Sequence, residues 1–184
     1  MFTNLPFLLA AALVAPQSRV ETLAALPDTL SVQVMLQRAG HSPGVLDGTQ
    51  GTNTRRAIAA FERANDLPVD GIADPQMLEG LKVPPRAELF QDYTVTAADV
   101  DRLAAVPQGM AAQSKLSHLG FETALEALAE KFHMSQGLME RLNPGADFAS
   151  AGTALKVVAP IKRDLPAKVA KIEVDKVGSE LRAF

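Results

Sequence analysis

Ser42-Pro43-Gly44-Val45-Leu46-Asp47-Gly48-Thr49-Gln50-Gly51-Thr52-Asn53-Thr54-Arg55-Arg56-Ala57-Ile58-Ala59-Ala60-Phe61, followed after three residues by Asn65-Asp66-Leu67-Pro68-Val69-Asp70-Gly71-Ile72-Ala73-Asp74-Pro75, holds two turns of similar chemistry on either side of one helix. In each Asp-Gly pair the glycine accepts left-handed backbone without a Cβ penalty, and the aspartate side chain can bond its own backbone. Between the turns, Asn53 or Thr54 opens a helix carrying Ala57, Ile58, Ala60 and Phe61, which ends near Asn65-Asp66. Asp74 caps, and Pro75 starts, a short helix through Met77, Leu78 and Leu81. Upstream, Asp28 and Ser31 offer caps for a helix with Val32, Val34, Met35 and Leu36 on its apolar face, stopped by Gly40. Three short helices joined by Asp-Gly turns predict one small bundle over residues 26–83.

Pro84-Pro85 forbids a continuing helix and marks a linker at 84–88. Residues 89–160 form the next unit. Tyr93-Thr94-Val95-Thr96 alternates as a strand, and a polar, proline-containing stretch runs on to about His118. A helix from Thr123 to Phe132 then presents Leu125, Leu128, Ala129 and Phe132 on one face. Met134-Ser135 is a turn and cap. A second helix holds Leu138, Met139 and Leu142 and stops at Asn143-Pro144-Gly145, and Gly152 precedes a strand over Ala154 to Val158. In residues 161–184, Lys171 to Asp175 alternates, Gly178 turns, and Leu181 to Phe184 reads as a returning strand. A lone hairpin is marginal in water, so this end reads as the start of a truncated β domain. At the other end, Leu5 to Ala15 is apolar but too short for a bilayer, which needs about 20 such residues. With Ala10, Ala12 and Ala15 it suits a signal peptide or leader over residues 1–25, although no Lys or Arg precedes it. The fold class expected is mainly α with minor β.

Composition narrows the function. The chain has 184 residues, 47% hydrophobic and 21% charged, which is globular composition. Net charge is -3 with no long basic run, against a nucleic-acid partner, whose phosphates demand Lys and Arg. With no cysteine there is no disulfide, thiolate metal site or thiol nucleophile. His41, His118 and His133 lie far apart without ligand spacing, so no metal, cofactor or catalytic residue is expected. Glu122, Glu126 and Glu130 recur every fourth residue opposite the leucine stripe, as on a solvated face rather than as a catalytic pair. Nothing after the leader spans a membrane.

Asp47-Gly48, Gly51, Thr54, Ala57, Phe61, Asn65, Leu67-Pro68, Asp70-Gly71 and Asp74 resemble, in order, the peptidoglycan-binding type 1 module. Glu62 departs from the glutamine usual in that family. The second unit resembles a lysin motif (LysM). The matching pieces are Tyr93-Thr94-Val95, Ala124 to Phe132, Met134-Ser135, Leu138, Leu142-Asn143-Pro144, Gly152 and Leu155, with an insertion after the first strand. The two units followed by Lys171 to Lys176 resemble the front of bacterial L,D-transpeptidases, whose cysteine nucleophile and histidine base would lie further along the chain. The resemblance implies peptidoglycan as the partner. It nominates Asp47, Gly48, Gly51, Thr54, Arg55, Asp70 and Gly71 as residues lining a groove for it. The same residues also have plainer readings: the aspartates and glycines as turn builders, Thr54 as a helix cap, and Arg55 with Arg56 as a solvated face.

The function expected is non-covalent peptidoglycan binding that targets a wall-remodelling activity in the periplasm or cell envelope. One alternative is a truncated L,D-transpeptidase whose catalytic domain lies beyond residue 184. Another is an envelope module that binds proteins.

Overall fold

The computed structural model describes residues 28–101, 103–159, 168–178 and 180–183; the expected leader at 1–25 and the terminal Phe184 lie outside them. The architecture is mainly α with minor β. Helices α1 (Asp28–Ala39), α2 (Thr52–Ala64) and α3 (Pro75–Leu81) come first. A 3-10 turn (Arg86–Leu89) leads into strand β1 (Phe90–Thr94). Short helices α4 (Ala97–Val100) and α5 (Met110–Gln113) follow, then α6 (Ala124–Lys131), α7 (Gln136–Leu142) and strand β2 (Ala154–Val158). Strands β3 (Ile172–Asp175) and β4 (Glu180–Ala183) form a terminal hairpin.

Local chemistry accounts for most of the boundaries. Gly40, at φ 91, closes α1: its N–H donates to Gln37 O, and His41 N–H reaches back to Leu36 O. This is the paired bonding of a left-handed C-terminal cap. Asp74 accepts from Met77 N–H at 2.7 Å and Pro75 opens α3, as the sequence predicts. Ser135 caps α7 by accepting from Leu138 N–H, and Thr123 caps α6 by accepting from Glu126 N–H.

Two of the expected caps differ. Helix α1 already runs from Asp28, so Ser31 is a buried residue of its first turns rather than an N-cap. Helix α2 starts at Thr52 behind Gly51, which supplies no side-chain cap, and Thr54 points inward instead. Strand β1 begins earlier than expected because Phe90, Gln91 and Asp92 pair with Val158, Val157 and Lys156. The insertion holds two short helices. Thr96 starts α4 in a reciprocal cap with Asp99, which the sequence reading passed over.

Two apolar clusters meet at α1. Val32 and Leu36 pack with Ala57, Ile58, Phe61, Met77 and Leu81 of the bundle. Leu30 and Val34, from the same helix, join Leu89, Val95, Leu128, Leu138, Leu155 and Val157 of the second unit. A helix with two apolar faces is a buried helix. Packing also continues across residues 84–88, where Leu89 is fully buried at the foot of β1. The units join through the backbone as well. Leu46 accepts from Ser135 N–H at 2.9 Å, and its own N–H donates to His133 O at 3.0 Å.

β1 and β2 are antiparallel, with α6 and α7 between them in sequence. Asn143, 2% exposed, ties α7 to β2. Its amide donates to Met139 O and Lys156 O, and its Oδ1 accepts from Lys156 N–H. In the terminal hairpin, Ile172, Val174 and Leu181 are exposed.

Candidate functional site

The two Asp-Gly turns are built alike, each around one buried side chain from a preceding helix. Gln33 of α1, 1% exposed, accepts from Asp47 N–H and Gly48 N–H at 3.2 and 2.9 Å. Its amide nitrogen faces Asp47 Oδ1, Thr49 O and Thr54 Oγ1 at 2.9 to 3.1 Å. Glu62 of α2, 2% exposed, accepts through one oxygen from Asp70 N–H and Gly71 N–H at 3.0 and 2.9 Å. Both aspartates then accept from the backbone two residues on, Asp47 from Thr49 N–H and Asp70 from Ile72 N–H. Such local bonds are what make aspartate a turn former. Gly48 and Gly71 have φ of 74° and 71°. At Gly71 a Cβ would also stand 3.0 Å from the carbonyl oxygen of Arg55.

These turns flank an open groove of about 790 Å³. Ser31, Val32, Thr54 and Ile58 line it from α1 and α2. Gln50 follows the first turn, Ile72 and Ala73 belong to the second, and Leu78 with Glu79 comes from α3. Val83, Pro84, Pro85 and Arg86 complete it. The volume is within the usual range for small-molecule and short-peptide sites.

Of the nominated residues, Thr54 alone lines this groove. Its hydroxyl is buried and engaged, accepting from Gln33 and donating to Thr49 O. Asp47, Gly48, Asp70 and Gly71 are outside its lining and build the two turns that flank it. The Asp47 carbonyl also accepts from Arg141 of α7 at 2.8 Å, so the second unit braces the first turn. Gly51 and Arg55 are exposed beside the groove, with Arg56 next to them. Sequence reasoning missed Gln33 and Glu62, which hold the turns, and Ser31, Gln50, Ile72 and Glu79, which line the groove. A polar residue in an apolar helical stretch, such as Gln33 between Val32 and Val34, is the signal that was available.

A second polar cluster sits where the insertion meets the second unit. Lys131 bonds Asp99 and the Tyr93 hydroxyl at 2.7 and 2.6 Å, and its ammonium stands 4.5 Å from the Tyr93 ring centre. Tyr93 and Thr96 also donate to Asp99. Burial disfavours the charge on Asp99, but the bonds from Lys131, Tyr93 and Thr96 outweigh it and hold the carboxyl well below the usual range. Burial likewise opposes the Lys131 charge, and its bonds to Asp99 and Tyr93 raise it above the ordinary lysine value. Each group has its partner within the cluster, so the arrangement fastens α4 to β1 and α6. Among the described residues, no group of three or more His, Cys, Asp or Glu could hold a metal ion. No described helix is long and apolar enough to cross a membrane.

Residues 26–81 match the model of the family described as "Putative peptidoglycan binding domain". The matched segment is the helical bundle with both of its Asp-Gly turns. No curated protein matches the chain.

Proposed function

We propose that the chain binds peptidoglycan non-covalently, with the groove of the helical bundle as its site. The observation that carries this reading is positional: a groove framed by both Asp-Gly turns draws most of its lining from the segment that matches the peptidoglycan-binding family, with Val83, Pro84, Pro85 and Arg86 just past it completing the wall. The family match supports peptidoglycan binding in general. The groove adds a place where a ligand would be held, with Asp47, Gly48, Asp70 and Gly71 shaping its rim and Thr54 in its wall. Gly51 and Arg55 are exposed next in sequence to the lining residues Gln50 and Thr54, outside the lining itself. Such binding would hold a wall-remodelling activity at the wall, in the periplasm or elsewhere in the envelope. The LysM-like βααβ unit serves in this account as a brace, through Arg141 on Asp47 and the Leu46 bridge.

Co-sedimentation of the chain with purified sacculi tests the proposal. Saturable binding is the expected result, and a chain that stays in the supernatant at all sacculus concentrations refutes it.

A second reading is favoured by the hairpin, whose Ile172, Val174 and Leu181 are exposed and suit burial against further structure. In that reading the chain is the wall-binding front of an L,D-transpeptidase. The coding sequence past Phe184 decides it: a downstream cysteine motif supports the reading, and an immediate stop codon counts against it.

A further inference from the structure

We propose that the groove takes the peptide part of peptidoglycan rather than the glycan, and prefers peptides whose diamino residue keeps a free amine. This rests on the groove being the peptidoglycan site. Its apolar lining is aliphatic, with Val32, Ile58, Ile72 and Leu78, and no aromatic side chain among the described residues lines it. Sugar rings are commonly held by packing their C–H faces on aromatic rings, and that surface is missing from the lining. Short aliphatic walls suit small side chains such as the methyl of alanine.

The polar lining fits the same occupant. A peptide offers one donor and one acceptor per residue, and a hydroxyl or a carboxamide answers both. Ser31 and Gln50 line the groove and make no side-chain hydrogen bond among the described residues, whereas the Thr54 hydroxyl is committed to Gln33 and Thr49. With Thr29, which also lines the groove, they are polar groups available to bind a peptide backbone.

Charge supplies the selectivity. Glu79 stands exposed at the groove on α3 and forms no ion pair among the described residues, while Arg86, also in the lining, has an interaction of its own. An acidic side chain without a counter-charge is complementary to an ammonium group. In a stem peptide that group is the side-chain amine of the diamino residue, which cross-linking converts to an amide. The groove thereby distinguishes uncross-linked from cross-linked stems.

The test is calorimetric titration of the full chain with three probes. The first is a stem tetrapeptide with an acetylated N-terminus and lysine at its third position. The second is the same peptide also acetylated on that lysine, and the third is a tetramer of N-acetylglucosamine. The free-amine peptide should bind about three-fold more tightly than the acetylated one, in line with one partly exposed ion pair. Glu79→Gln should abolish that preference while the variant still binds both peptides. Equal affinity of the wild-type chain for the two peptides overturns the amine selectivity, and tighter binding of the sugar tetramer overturns the peptide assignment. Retention on sacculi without binding to either peptide overturns this inference alone, whereas loss of sacculus binding overturns the parent reading as well.

Discussion

One carboxylate oxygen of Glu62 accepts two backbone N–H groups of the second turn from a side chain only 2% exposed. Removing it in Glu62→Ala orphans both donors, at about 1–3 kcal/mol for each that stays dry. Urea denaturation should therefore show a large loss for Glu62→Ala and less than about 1 kcal/mol for Glu62→Gln, whose amide oxygen can still accept. Equal losses would remove the carbonyl-type acceptor from the explanation. Gly71→Ala should cost about 1–3 kcal/mol, because its φ of 71° and the Arg55 carbonyl 3.0 Å from the new Cβ both oppose a side chain.

The Asp99–Lys131 pair predicts a pH dependence. The Asp99 carboxyl is held below its ordinary value, so its contribution is complete above about pH 4 and fades as pH falls further. The Lys131 shift is upward, so its contribution is complete below about pH 10 and fades only at higher pH. Melting temperatures of wild type and Asp99→Asn should differ by a constant amount between those limits and converge below pH 4. A gap that persists unchanged to pH 2 would contradict the ion pair. At this scale the Asp-Gly turns and the Asp74 cap were legible, because their chemistry is local. Gln33 and Glu62 were not, because their partners lie 14–15 and 8–9 residues away and no periodicity reports such bonds.

Among the elements, α1 carries the most. Leu36 packs into the bundle and Val34 into the second unit, both without exposed surface. Leu36→Ala should cost about 2–5 kcal/mol, and Val34→Ala somewhat less for its smaller side chain. Asn143→Ala would strip Lys156 N–H and two carbonyls of their partner and should cost about 2–3 kcal/mol, read as a lower denaturation midpoint with an unchanged slope. The helices and strands were readable from apolar spacing and caps. The double burial of α1 was hinted at by its run of Leu30, Val32, Val34, Met35 and Leu36, but a linear pattern does not say which neighbour each face meets. The insertion's short helices escaped because four residues give no periodicity.

For the whole molecule, the shared helix and the Leu46 bridge predict that the bundle and the βααβ unit unfold together. The fluorescence of the chain's one tyrosine, Tyr93, and the helical dichroism should report one midpoint in urea, and two separated midpoints would contradict that coupling. The bundle and the order of the second unit could be read from the chain, whereas the groove could not. It forms only when α1, α2, α3 and the Val83 to Arg86 segment converge, which is why six of the seven nominated residues fall beside it rather than in its lining.

That displacement defines the most direct test of the account. Ile72 is 56% exposed on the groove rim, so Ile72→Asp places a charge in the ligand space without disturbing the core. Co-sedimentation with sacculi should be saturable for wild type, at least ten-fold weaker for Ile72→Asp, and little changed for Arg55→Ala/Arg56→Ala. A folded Ile72→Asp chain that binds sacculi like wild type, while the arginine pair loses binding, would place recognition on the outer face of α2 and contradict the groove.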